Sequence, residues 1–99
     1  MRVGQRKAFS RLRPVLRPGV RYRRELEGGL IFDAASLGVC STNPTGLLIL
    51  DQINGKRCCA DIAERLQHRF VSASRRTVQR DLRRFLEELA SVGLLDFQA

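Results

Sequence analysis

The stretch that decides the fold is SRRTVQRDLRRFLEELASVGLLDF, residues 74–97. Its apolar residues recur at spacings of four, three, four and three, which predicts one apolar stripe along a helix. The stripe comprises Val78, Leu82, Phe85, Leu89 and Val92. Ser74 is a favourable N-cap, and Gly93 is typical of a helix end. The segment therefore predicts a long helix with one face in the core.

The polar residues of this helix fall on two sides of the stripe, since each residue turns the helix by about 100°. One side carries Arg75, Gln79, Arg83 and Leu86. The other side carries Thr77, Asp81, Arg84 and Glu88. Two interpretations stay open. The basic residues form a solvated face on an ordinary core helix, or they receive an acidic partner.

The charge of the chain is concentrated at its beginning. The 99 residues, enough for one small domain, carry a net charge of +8. Residues 1–24 hold nine of the 18 basic residues and no acidic one, so the rest of the chain is nearly neutral. Residues 1–13 are basic, poor in apolar residues and without a clear period, which predicts a disordered arm. Such an arm solubilises the chain or binds nucleic acid, an acidic peptide or an anionic surface.

Several classes of protein find no support in the sequence. Three cysteines without a CxxC motif predict neither a disulfide framework nor a metal site, and His68 is the only histidine. No catalytic triad, phosphate-binding loop or dinucleotide-binding glycine pattern is present. No apolar run is long enough for a membrane span or a signal peptide. We therefore expect a cytoplasmic, non-catalytic protein without a cofactor or metal.

The first half of the chain predicts an antiparallel meander of three strands. Alternation of apolar and polar residues predicts a strand over residues 20–26, and residues 30–32 and 37–41 are predicted as the second and third strands. Glycines in residues 27–29 favour a tight turn between the first two strands. Asp33 suits the first position of the second turn.

Two further helices precede the long one. Asn43 caps a helix that starts at Pro44 and ends before Asn54-Gly55. Gly46 inside this helix costs about 1 kcal/mol against alanine, which predicts close approach of another backbone. The next helix covers residues 59–70, with Cys58 at the cap position, where a cysteine predicts fraying. The order is three strands and then three helices, the last two joined as in a helix-turn-helix.

Several short segments, in this order and spacing, carry a resemblance to a known family. They are Pro18-Gly19-Val20, residues 43–50, Asn54-Gly55, Asp61-Ile62-Ala63, Asp81-Leu82 and Gly93-Leu94-Leu95. This set resembles the PqqD family of peptide chaperones, also called RiPP recognition elements. The resemblance covers residues 14–95, and we assign residues 14–97 to a peptide-binding domain. It implies an α+β, winged-helix-like fold with a three-stranded antiparallel sheet followed by three helices.

The resemblance also implies a function. Members of the family bind the leader of a ribosomally made precursor peptide and hand it to a modifying enzyme, often a radical SAM enzyme. They act in peptide or cofactor biosynthesis of the pyrroloquinoline quinone type. The leader adds as a strand to the third strand and lies against the third helix. On this chain the pattern assigns peptide binding to Leu37, Gly38, Val39, Cys40, Ser41, Arg75, Gln79, Arg83 and Leu86.

Physical reasoning supports a peptide-binding edge independently, because an unpaired strand edge is a ready site for β-augmentation. We expect an acidic leader to lie on the arginine side of the last helix and to cover Leu86. One alternative is a winged-helix DNA-binding protein, favoured by the arginines of the last helix. Its usual element order begins with a helix, and the folded part here is nearly neutral, so nucleic acid is the less favoured partner. The other alternative is a small scaffold that docks an enzyme subunit.

Overall fold

The computed structural model describes residues 8–99, and its elements follow the predicted order with two additional strands. A short 3-10 helix, Phe9–Arg11, comes first. The strands are β1 (Arg13–Leu16), β2 (Val20–Glu25), β3 (Gly28–Asp33), β4 (Gly38–Thr42) and β5 (Leu95–Gln98). The helices are α1 (Pro44–Gln52), α2 (Cys59–Arg69) and α3 (Arg75–Ser91). Within residues 8–99, no helix has the length and apolarity that a membrane crossing requires.

The predicted three-stranded antiparallel sheet is confirmed, with the order β2-β3-β4. The first turn is shorter than the sequence indicates, because Gly28 already pairs with Glu25 and lies in β3. A Cβ atom on Gly28 would overlap the carbonyl oxygen of Thr42. Glycine is therefore needed here for close packing of the strand against the end of β4, with a φ of +139°.

The core is built around α3, but its apolar stripe differs from the predicted one. The buried residues of the helix are Val78, Leu82, Leu86 and Leu89. Val92 is 66% exposed, and Phe85 is half-buried at the edge of the stripe. Successive steps of four residues advance about 40° past a full turn, so this stripe slants across the helix axis. Leu86 therefore belongs to the core.

Side-chain caps start α1 and α3 as the sequence predicts. The Asn43 side chain accepts the N–H of Gly46 at 2.7 Å, and Ser74 accepts the N–H of Thr77 at 3.1 Å. The start of α2 was predicted to fray because cysteine caps poorly. Two other bonds hold it: Asp61 accepts the Cys58 N–H at 3.2 Å, and the Cys59 N–H donates to the Leu12 carbonyl at 2.8 Å.

A second, two-stranded sheet joins the two ends of the described chain. β1 pairs antiparallel with β5, and Phe9 meets Phe97 edge-to-face with the ring centroids 5.5 Å apart. Residues 8–13 are therefore ordered and pack partly on the core, which differs from the arm predicted over residues 1–13. Residues 1–7 of that arm lie outside the described residues. Sequence analysis does not predict β1, because its four residues, which include Arg13 and Pro14, show no alternation of apolar and polar side chains.

Candidate functional site

The exposed strand β4 forms one edge of the three-stranded sheet. No strand in the described part of the chain pairs with its outer side. Cys40 stands opposite Ile31, whose side chain is in the core, so Cys40 lies on the core-facing side of the sheet. Val39 stands opposite Phe32 on the outer side and is 60% exposed. The strand thus exposes a backbone edge and both of its faces.

The register shows which backbone groups point outwards from that edge. The Ala34 N–H donates to the Gly19 carbonyl at 3.1 Å, and bonded pairs alternate along an antiparallel ladder. Ala34 directs its N–H towards the β2 side, so every second residue back along β3 does the same, and the residues between them face β4. Ile31 is one of these and directs its N–H and C=O towards β4. The β4 residues on either side of its partner, Val39 and Ser41, therefore direct their N–H and C=O groups to the free edge. These groups can pair with an added strand.

The end of β4 meets the middle of α3 across α1. A Cβ atom built on Gly46 would overlap Thr42 Oγ1 and lie 2.8 Å from Cε1 of Phe85. Both side chains therefore press against a glycine that leaves them room. The predicted close approach at Gly46 comes from these two side chains rather than from another backbone. Phe85 is thereby placed beside β4.

This contact decides which side of α3 faces the strand edge. Asp81 and Glu88 lie one turn before and one turn after Phe85, on the side of the helix that carries the carboxylates. Arg83 lies on the other side, where its guanidinium is 4.8 Å from the centroid of the Phe9 ring. Its Nε also lies 3.2 Å from Glu87 Oε2. The flank of α3 that was predicted to bind the peptide, which carries Arg83, therefore lies on the side of the helix that is turned away from β4.

The predicted peptide-binding residues accordingly fall on separate surfaces. The structure brings Gly38, Val39, Cys40 and Ser41 together on β4. It places Arg75, Gln79 and Arg83 on exposed positions of α3 away from that strand. Leu86 is 0% exposed, so no ligand can cover it without unfolding the core. Leu37 lies in the turn before β4, with a φ of 58° and 85% exposure.

Two residues that sequence analysis did not assign to the candidate site lie beside it. Thr42 ends β4 immediately before the α1 cap, and Phe85 was assigned to the core. Gly46 could have indicated both residues. A glycine inside a helix lowers its stability relative to alanine, so its presence implies that neighbouring side chains need the space.

A cleft of about 230 Å³ opens next to this contact, between α1, α3 and the end of α2. Its inner wall is apolar and includes Ile49 and Phe70. Its rim is polar: Thr45 of α1 faces Thr77 and Asp81 of α3. Asp81 also lies 3.3 Å from Arg80, in an exposed ion pair. The cleft can take an apolar side chain, and its rim offers hydrogen-bonding groups to polar atoms near the entrance.

The reactive side chains at and near the site are cysteines and carboxylates. Among residues 8–99, no three His, Cys, Asp or Glu side chains are grouped so that they could hold a metal ion. Cys40 is an exposed free thiol beside the edge. Burial, followed by the neighbouring Cys58, raises the pKa of the Cys59 thiol to about 12, which keeps that residue protonated in the core. The arrangement suits an extended peptide.

Comparison with known proteins shows the family of the chain and its fold. Residues 28–95 match the family described as coenzyme PQQ synthesis protein D (PqqD). The match covers more than half of the chain, and the chain belongs to this family. No curated protein matches it in sequence.

Two solved structures share the fold. One is described as TbiB1 in complex with the TbiA(beta) leader peptide; it is 22% identical, with a TM-score of 0.74 over 83% of this chain and 94% of that chain. The other is described as lasso peptide synthetase B1 complexed with the leader peptide; it is 22% identical, with a TM-score of 0.72 over 84% and 96%.

Proposed function

We propose that this member of the PqqD family binds the leader of a ribosomally made precursor peptide as an added strand on β4. We propose further that it presents the leader to a modifying enzyme and catalyses no reaction itself. The observation that carries the proposal is the free backbone edge at Val39 and Ser41 of β4, a strand whose last residue lies near Phe85. The two structural neighbours, both described as leader-peptide complexes, support it.

An added strand would lie about 4.8 Å beyond β4 and would alternate its side chains between the two faces of the sheet. Side chains on the core-facing side would enter the space between Cys40 and the Phe85 side of α3. Those on the outer side would continue the face that carries Val39. The main-chain bonds would supply affinity for any extended segment, while the side chains near Phe85 would select the sequence.

The cleft at Asp81 adds a requirement on that sequence. A leader side chain that enters this cleft passes the carboxylate of Asp81 and the hydroxyls of Thr45 and Thr77 at the rim and then meets the apolar wall inside. An apolar side chain fits this cleft better than an acidic one, because a carboxylate would face Asp81 at the rim and the apolar wall inside. This reverses the expectation of an acidic leader, which followed from the arginine side of the helix.

The class of modifying enzyme to which the chain presents the leader is a separate part of the proposal. The family resemblance points to a radical SAM enzyme, and the neighbour described as a lasso peptide synthetase points to peptide synthesis of another type. A precursor gene and an enzyme gene beside that of this chain would supply the peptide and the enzyme for the assays below.

The exposed thiol of Cys40 provides a direct test of the site. The chain is alkylated with and without the leader peptide of the neighbouring precursor gene, and each cysteine is followed by mass spectrometry. We expect the leader to slow the alkylation of Cys40 and to leave Cys58 unchanged, since Cys58 lies at the start of α2. Amide exchange at Val39 and Ser41 should slow as well. A leader that binds without protecting these positions, or one that does not bind, would contradict the proposal.

A further inference from the structure

The outer face of the three-stranded sheet is apolar at its centre, although no element of residues 8–99 covers it. Side chains alternate along β3, and the side chain of Ile31 points into the core. Those of its neighbours Leu30 and Phe32 therefore point to the outer face. Both are half-buried but lie outside the core cluster and the side chains packed against it. Val39 of β4 extends the patch. The solvent face of an antiparallel sheet is normally polar, so this composition indicates a surface that is covered in the working state.

The rim of this patch is positively charged on its β2 side. Arg21 stands opposite Phe32 in the register, and Arg23 stands opposite Leu30. The guanidinium of Arg23 lies 5.4 Å from the centroid of the Phe32 ring. Its Nε lies 2.8 Å from Glu25, whereas Arg21 forms no ion pair within the described part of the chain. A complementary partner would therefore place carboxylates beside Arg21 and apolar side chains over Phe32.

We infer, on the basis of the proposed function, that this outer face docks the leader-modifying enzyme. The enzyme would meet it with an apolar patch whose edge carries Asp or Glu side chains. Charge disfavours a second copy of the chain as the occupant, because two such faces would bring arginine rims together in molecules of net charge +8. The docking face is defined as Arg21, Arg23, Leu30, Phe32 and Val39.

The leader strand would extend this same face. A residue that pairs with Val39 lies on the outer side of the sheet, next to Val39 itself. An enzyme seated on the docking face would therefore also contact the outward side chains of a bound leader. Because contacts to both components are available only in the loaded state, the enzyme binds the loaded chain more tightly than the empty one. By linkage, the enzyme tightens leader binding by the same factor.

Charge reversal on β2 separates this docking from leader binding. Arg21 and Arg23 lie two strands away from the free edge, about 10 Å from it, so their substitution should leave the leader contacts intact. The double variant Arg21→Glu with Arg23→Glu is compared with a control of equal charge change, Arg65→Glu with Arg76→Glu, on exposed positions of α2 and α3. Phe32→Ser tests the apolar centre without a change in charge.

Two affinities are measured for each variant by calorimetry: that for the leader peptide and that for the enzyme encoded beside this chain, with leader present. We expect Arg21→Glu with Arg23→Glu, and Phe32→Ser, to bind the enzyme at least tenfold more weakly. Their leader affinity should stay within about twofold of the wild type, which also shows that they are folded. The α2–α3 control should change neither affinity by more than about twofold.

The outcomes distinguish the two proposals. If the wild-type chain does not bind the leader, the proposed function fails. The docking inference alone is overturned if the leader binds but the enzyme does not, or if the enzyme binds the docking-face variants as it binds the wild type. Sedimentation provides the remaining check. A wild-type dimer that Phe32→Ser converts to a monomer would show that a second copy covers the face, which also overturns the inference.

Discussion

Proline substitution at two adjacent positions of β4 tests the edge assignment. The N–H of Val39 points to the free edge, so Val39→Pro removes a donor that the sheet does not use. The N–H of Cys40 points into the sheet towards Ile31, so Cys40→Pro removes a ladder bond. The two variants share the same chemistry and differ only in the direction of the lost group. We expect the first to lose leader binding and the second to lose stability.

The size of the binding loss follows from the bond that Val39 would make. Without that donor, a carbonyl of the bound leader is left unsatisfied in the interface, which costs about 1–3 kcal/mol. Since 1.4 kcal/mol corresponds to a factor of ten, the affinity for the leader should fall about 5- to 150-fold. The folded chain should lose little, because the Val39 side chain is 60% exposed and makes few core contacts.

Calorimetric titration with the leader peptide measures the first effect, and thermal unfolding followed by circular dichroism measures the second. Val39→Pro should keep an unfolding midpoint close to that of the wild type, whereas Cys40→Pro should lower it clearly. If Val39→Pro unfolds while Cys40→Pro remains folded, the register deduced for β3 and β4 is shifted by one residue. If Val39→Pro is folded and binds the leader as the wild type does, the leader does not pair with this edge.

Three further predictions use the same assays. Phe85→Ala should weaken leader binding more than it lowers stability, whereas Leu86→Ala, at a fully buried position, should destabilise the fold by about 2–5 kcal/mol; equal effects of the two on binding would place the groove elsewhere. Deleting residues 1–12 should lower the unfolding midpoint relative to deleting residues 1–7, because it also removes the 3-10 helix that packs against α2; equal midpoints would contradict this. Burial raises the pKa of Cys59 to about 12, above its unfolded value of 9.0, so its contribution to stability is complete below pH 9 and declines towards pH 12. Denaturant titrations at pH 8 and pH 10.5 should show a smaller pH effect in Cys59→Ala than in the wild type, and an equal effect would refute the burial argument.

Local signals in the sequence predicted much of this fold. The Asn43 and Ser74 caps, and the meander ahead of the helices, depend on residues close together in the chain. Cap geometry and strand alternation are properties of such neighbours, so a single sequence suffices. The pairing of β1 with β5 is different, because it joins segments about 80 residues apart in the sequence. A strand of four residues has too little periodicity for its pairing partner to be predicted at that separation in the sequence.

The side of α3 that lies beside β4 shows what the sequence alone could not predict. Periodicity placed Val78, Leu82 and Leu89 in the core correctly, but it treats the two flanks of a stripe as equivalent. The count of arginines then favoured the flank with Arg83, and that flank instead packs beside Phe9. What distinguishes the flanks is the glycine in α1, which has no role in the periodicity of α3. Gly46 leaves room for Phe85, and through that contact the α3 flank with Asp81 and Glu88 is turned towards the free edge of β4.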